Sequence, residues 1–136
     1  MKMFTRGTET VNIALAEDIV RVRQSTRRLA IECGFSLVDQ TKMVTAASEI
    51  ARNTFVFGGG GTVTLEVIED GGRAGLRLTF EDSGPGIMNI EQAMSDGYTS
   101  AQGLGLGLGG SKRLVNQFEI RSRVGEGTTV IITRWK

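Results

Sequence analysis

The chain has no histidine, one cysteine (Cys33) and one proline (Pro85). Each scarcity excludes a chemistry. Without histidine there is no Ser-His-Asp or Cys-His nucleophile system, no imidazole metal ligand and no histidine to accept a phosphoryl group. One cysteine makes neither an intramolecular disulfide nor a thiolate zinc site. Charge of one sign is also missing: 16 Lys and Arg stand against 15 Asp and Glu, a formal +1 without the basic excess of a nucleic-acid-binding domain. No apolar run approaches the ~20 residues that span a bilayer, and the N-terminus carries no signal-type stretch. The expectation is a cytoplasmic, reduced protein without nucleic-acid or membrane partners. Its 136 residues suffice for one domain, 1–136, with a real core.

What the chain has in excess is glycine, 19 residues, and with proline nearly absent this is not a disordered Pro/Gly tract. Residues 8–16 alternate at first, with Val11, Ile13 and Leu15 on one face, and read as a half-buried strand. From Glu17 the period lengthens through Ile19, Val22, Thr26, Leu29 and Cys33 to Gly34, an amphipathic helix with an acidic start and a glycine stop. Ser36 caps a second helix reaching about Phe57, with the stripe Leu37, Thr41, Val44, Ala47, Ala51 and Thr54, before the glycines at 58–61 break it. Residues 63–68 and 75–81 alternate around Asp70-Gly71-Gly72, a hairpin signal. After a polar stretch at 88–102 and a glycine run at 103–110, the segment SKRLVNQF continues as a helix. Residues 118–124 and 128–135 form a second hairpin around Gly125-Glu126-Gly127. The order β-α-α-β-β-loop-α-β-β predicts an α/β (α+β) two-layer sandwich, a mixed sheet covered by helices on one face.

Three places carry candidate chemistry. Five glycines in residues 103–110 (GLGLGLGG) alternate with leucines and run into a helix, a pattern suited to phosphate. It is no dinucleotide fingerprint, since a polar loop precedes it and Val130 stands where an acidic residue is needed. It is no Walker A loop either, and conventional kinase motifs are absent. Asp82, Gly84 and Gly86 form a D-x-G-x-G turn at a strand end. There a carboxylate accepts from an exocyclic amine and small residues admit a flat ring, though an ordinary aspartate turn has the same spelling. Glu49 and Asn53 stand one above the other on the second helix, at roughly 140° and 180° from Val44, while the stripe from Val44 to Thr54 lies at about 280–360°. That pair suits phosphoryl transfer, the amide oxygen holding Mg²⁺ and the carboxylate orienting a hydroxyl. A solvated helix face is the ordinary use of such residues.

Taken in order, E-x-x-x-N at 49–53, D-x-G-x-G at 82–86, the glycine run at 103–110 and G-x-G-T at 125–128 resemble the four boxes of the Bergerat-fold ATPases and kinases. That superfamily includes gyrase, Hsp90, histidine kinases and MutL. A copy of this length is similar to the bacterial anti-sigma-factor serine kinases, departing at Gly109, where those have proline. The resemblance implies ATP and Mg²⁺ as cofactors, with Glu49 as general base, Asn53 as Mg²⁺ ligand and Asp82 as adenine anchor. It further implies that Gly84 and Gly86 shape the adenine pocket, that Gly103, Gly105 and Gly107 wrap the phosphates, that Thr128 supports the adenine contact, and that 88–102 is a lid. The implied activity is phosphorylation of a serine or threonine on a STAS-domain protein, a stressosome scaffold or an anti-anti-sigma factor, with release to a downstream phosphatase. A switch without catalysis, or direct capture of a sigma factor, is the competing reading, and the oligomeric state is left open.

Overall fold

A computed structural model describes residues 3–87, 90–94 and 108–136. The elements are β1 (Met3–Ile13), α1 (Glu17–Glu32), α2 (Leu37–Val56), β2 (Gly61–Asp70), β3 (Arg73–Asp82), α3 (Ile90–Met94), α4 (Leu108–Arg113), β4 (Gln117–Arg123) and β5 (Gly127–Trp135). The five strands form one sheet in the order β1-β2-β3-β5-β4.

Every pairing in that sheet is antiparallel, which corrects the expectation of a mixed sheet. The reason lies in the connections. A single crossover helix returns a chain to run parallel, whereas the consecutive pair α1 and α2 adds one more reversal and delivers β2 antiparallel to β1. Tight hairpins then join β2 to β3 and β4 to β5. The first turns on Gly71 and Gly72, both at positive φ, as a two-residue loop between antiparallel strands requires.

One face of the sheet carries Val63, Leu65, Val67, Leu76, Leu78, Phe80, Val130 and Ile132, all buried beneath the helices. Each fully buried aliphatic side chain contributes roughly 1.5–3 kcal/mol. The opposite face shows Thr64, Glu66, Arg77 and Thr79, with Arg77 held to Glu66 at 3.0 Å. The helices therefore cover one face, as expected.

Local chemistry sets the boundaries. β1 starts at Met3 and stops at Ile13, short of the expected Ala16, because the carboxylate of Asp18 accepts the Ala14 and Leu15 amides at 2.9 Å and turns the chain into α1. Gly34 ends α1 at φ 82 and Ser36 caps α2 by accepting the Asp39 amide, both as expected. The SKRLVNQF segment does not continue as a helix to Phe118. α4 ends at Arg113, and Asn116 joins the sheet, its amide donating to Thr133 O and its side chain accepting from the Trp135 amide. Phe118 and Ile120 then alternate toward the core as strand residues. No helix among the described residues is long and apolar enough to cross a membrane.

Candidate active site

Leu37 and Thr41, which belong to the stripe expected on α2, are both exposed. Its buried residues are Met43, Val44, Ala46, Ala47, Ile50, Ala51 and Thr54. At 100° per residue these span about 200–360° from Val44, an arc rotated toward Asn53 from the expected stripe, which Leu37 and Thr41 carry on to about 60°. Asn53, at about 180°, therefore sits at the border of the buried arc, with Glu49 beside it. Both side chains are half-buried, so they are not the solvated face that helix residues of this type usually form.

Where α2 ends, a narrow cavity of about 40 Å³ opens between helix and sheet. Asn53, Asp82, Gly86 and Thr128 line it together with apolar Ile50, Phe57, Phe80, Ile87, Leu108 and Val130. Residues from four separate stretches of sequence thus share one concavity. Glu49 stands one turn before Asn53 and is not among the lining residues. Gly84 contributes its backbone, donating to Asp82 Oδ1 at 3.0 Å.

Asp82 is the most constrained group of the site. Its Oδ1 accepts the Gly84 amide and, at 3.3 Å, the Thr128 amide. Among the described residues none donates to Oδ2, which is left to receive a donor. Burial pushes the Asp82 carboxyl above the ordinary aspartate value, and the two amides pull it partly back.

The turns around Asp82 interlock through glycine. A Cβ on Gly58 would lie 2.4 Å from Asp82 Cγ, and one on Gly84 would lie 2.7 Å from the Gly58 Cα. Gly86 takes φ 78, and a Cβ there would fall 2.2 Å from Arg123 O, while the Gly125 amide donates to Pro85 O at 2.8 Å. The D-x-G-x-G turn is thereby stapled to the β4–β5 hairpin. The sequence alone marks Gly58 only as a helix stop. Four consecutive glycines exceed the one residue a helix stop needs, and that surplus is the signal of close packing.

Gly127 supplies a stability prediction. It combines φ 102 with a Cβ position 2.1 Å from Asp82 O, whereas Gly125 has φ 82 and open space. Gly127→Ala is expected to cost about 2–5 kcal/mol, strain plus clash, and Gly125→Ala about 1 kcal/mol. Chemical denaturation of the two variants checks this; equal losses would mean that the turn is not held against Asp82.

The chemistry of the lining suits an amine-bearing flat ring: an acceptor-only carboxylate, a hydroxyl beside it and apolar walls. Asn53 offers an amide oxygen at the same cavity, and Mg²⁺ characteristically takes one or two protein oxygens together with phosphates. Gly103, Gly105 and Gly107 lie outside the described residues, as does most of the 88–102 segment. Leu108 of the glycine run is buried against the cavity, anchoring the end of the run as expected.

Residues 38–136 match the family described as histidine kinase-, DNA gyrase B-, and HSP90-like ATPase. The chain is 44% identical over 125 residues to the serine/threonine-protein kinase RsbT of Bacillus subtilis, covering 92% of this chain and 94% of that protein. It is 33% identical to the anti-sigma F factor of Clostridium acetobutylicum, covering 87% and 84%. Among solved structures, the RsbU and RsbW domains of a Mycobacterium tuberculosis protein superpose with a TM-score of 0.67 at 22% identity, over 96% of this chain and 33% of that one. The catalytic domain of histidine kinase ThkA gives a TM-score of 0.55 at 18% identity, over 93% and 95%. These two likenesses establish the fold.

Proposed function

The chain belongs to the histidine kinase-, DNA gyrase B-, and HSP90-like ATPase family and is a serine/threonine-protein kinase within it, and from that premise we propose that it phosphorylates a hydroxyl of a STAS-domain partner. The observation that carries the reading is the convergence of Asn53, Asp82, Gly86 and Thr128 on one cavity.

The donors and acceptors at the cavity support the following roles. Asp82 Oδ2 accepts the exocyclic amine of an adenine, and the Thr128 hydroxyl completes the polar edge of that pocket. Gly84 and Gly86 keep the turn thin enough for the ring to reach it. Asn53 Oδ1 would hold Mg²⁺, whose chemistry there is to offset phosphate charge. Gly103, Gly105 and Gly107 would cradle the phosphates through their amides. Glu49 takes the proton of the incoming serine or threonine hydroxyl. A phosphate added at the docking surface brings up to about two negative charges, enough to release the partner by repulsion. The freed kinase would then be available to a downstream phosphatase, the stressosome scaffold being the upstream substrate.

Incubation with γ-labelled ATP and a STAS-domain protein tests this: phosphoserine or phosphothreonine on the partner is the expected result, and its absence refutes the substrate assignment. The similarity to anti-sigma F factors favours one further reading, direct capture of a sigma factor. Co-purification with a sigma factor in the presence of nucleotide would support that reading over the first.

Asp82 also sets a pH dependence. Its raised pKa means that the fold disfavours the ionised form, so the stability cost it imposes at neutral pH is relieved as pH falls through that value. Base recognition needs the ionised acceptor and responds in the opposite sense. Affinity for a fluorescent ATP analogue is expected to fall on acidification before ordinary aspartates titrate, and Asp82→Asn is expected to lack that component. Parallel curves for the two proteins would remove Asp82 from the site.

A further inference from the structure

Arg134 lies on the core-facing side of β5, in step with Val130 and Ile132, where an apolar side chain is the ordinary choice. Its side chain is 15% exposed, and its guanidinium bridges two helices. One nitrogen donates to Asp39 Oδ1 at 2.6 Å, in the first turn of α2. Another donates to Leu114 O at 2.8 Å, one residue past α4. The bond to Arg134 holds the Asp39 carboxyl below the ordinary aspartate range, so both partners are charged at neutral pH.

Stability alone is a poor reason for this arrangement. Burying an arginine costs hydration that an ion pair offsets only in part, and apolar replacements of similar size are often neutral or stabilising. Here the offset is incomplete, since Arg134 Nε is buried without a hydrogen-bond partner. What the guanidinium does supply is geometry: donors in one rigid plane fix the spacing of two helix ends. One of those ends is a carbonyl that α4 itself cannot satisfy. Asn116 fastens the segment after α4 to β5, but neither of its bonds reaches α2.

The other end of α4 reaches the site. Leu108, roughly 9 Å from Leu114 at 1.5 Å per residue, is buried and lines the cavity with Asp82 and Thr128. From α2 come Ile50 and Asn53. Arg134 thus ties together two elements that wall the cavity, and it does so outside the cavity.

We propose that Arg134 is a positioning residue for nucleotide binding: its bridge from Asp39 to Leu114 fixes α4 against α2, and with it the Leu108 wall. The inference rests on the proposal that this cavity receives the base of ATP. Asp39 is the informative partner. It precedes Asn53 by roughly 21 Å along α2, and its hydrogen bonds go to Ser36 and Arg134, neither of which lines the cavity.

The test is calorimetric titration of the full chain with ADP and Mg²⁺ for wild type, Arg134→Met, Asp39→Ala and the double variant. Melting temperatures are measured without nucleotide. Arg134→Met is expected to bind ADP about three- to tenfold more weakly while melting close to wild type or above it. Asp39→Ala is expected to lose a similar factor, because it breaks the same bridge from the far side. The double variant is expected to lose no more than either single one, the mark of a shared interaction. Arg134→Lys, without the rigid fork, is expected to fall between wild type and Arg134→Met. Wild-type affinity in both single variants overturns the inference, and so do losses that multiply in the double variant. So does an affinity loss in Arg134→Met that comes with a matching fall in melting temperature, as a merely structural arginine would give. Wild type that binds no ADP overturns the reading of the cavity itself, and this inference with it.

Discussion

Glu49→Gln is expected to lower phosphoryl transfer by about 10²–10⁴-fold while leaving ATP affinity nearly unchanged. The substitution is almost isosteric and keeps a good helix former in α2, so the fold has no reason to respond. It removes the one property the role needs, a carboxylate that can take a proton. Affinity is spared because Glu49 lies outside the ring of residues lining the base cavity, one helical turn before Asn53. Single-turnover transfer from labelled ATP to a partner separates the two effects. A variant that transfers normally would make Glu49 a structural residue. A variant that stays inactive in transfer but signals normally would favour the reading as a nucleotide-dependent switch.

The second large effect is expected at Asp82. In Asp82→Asn the side-chain oxygen can still receive the Gly84 and Thr128 amides, which preserves the turn. The other arm becomes an NH₂ donor facing a position that needs an acceptor. Losing that bond and opposing a base amine with another donor is expected to reduce ATP affinity about 10- to 100-fold. GTP, whose carbonyl can accept from the new amide, is expected to lose less. Competition titrations with both nucleotides check this, and retained ATP affinity would place the base elsewhere.

Much of this was legible in the sequence, for identifiable reasons. The strand pairs and helix ends follow from alternation, Ser36, Gly34 and the Gly71-Gly72 turn, all local signals. The sheet's direction was not local, because it depends on counting reversals through α1 and α2. The stripe on α2 was misplaced toward Leu37 and Thr41, since the start of the helix leaves exposed positions that periodicity assigns to the core. The same shift brought Asn53 from an expected polar face to the rim of the buried arc. SKRLVNQF looks helical to residue 118, but the Asn116 bonds to β5 come from a strand distant in sequence, and they end the helix early.

The site boxes fared differently from one another. Asp82, Gly86 and Thr128 could be named by motif, yet the motif gave no hint that Gly58 packs against the Asp82 carboxylate or that the Ser122 hydroxyl meets that of Thr128. Both facts arise from tertiary approach: the α2 exit turn against the end of β3, and β4 against β5. A run of four glycines and a serine opposite a threonine carry those facts in sequence only weakly.

The account stands on α2 and the two distant glycine turns enclosing the same adenine nucleotide. Amide chemical-shift mapping of the isotope-labelled chain on addition of ADP and Mg²⁺ tests it most directly. Saturable shifts concentrated at Asn53, Gly58, Gly84, Ile87 and Thr128, with Thr64 and Thr79 on the opposite face of the sheet unmoved, are the result expected. A spectrum unaltered by nucleotide, or shifts clustered away from that cavity, would contradict it.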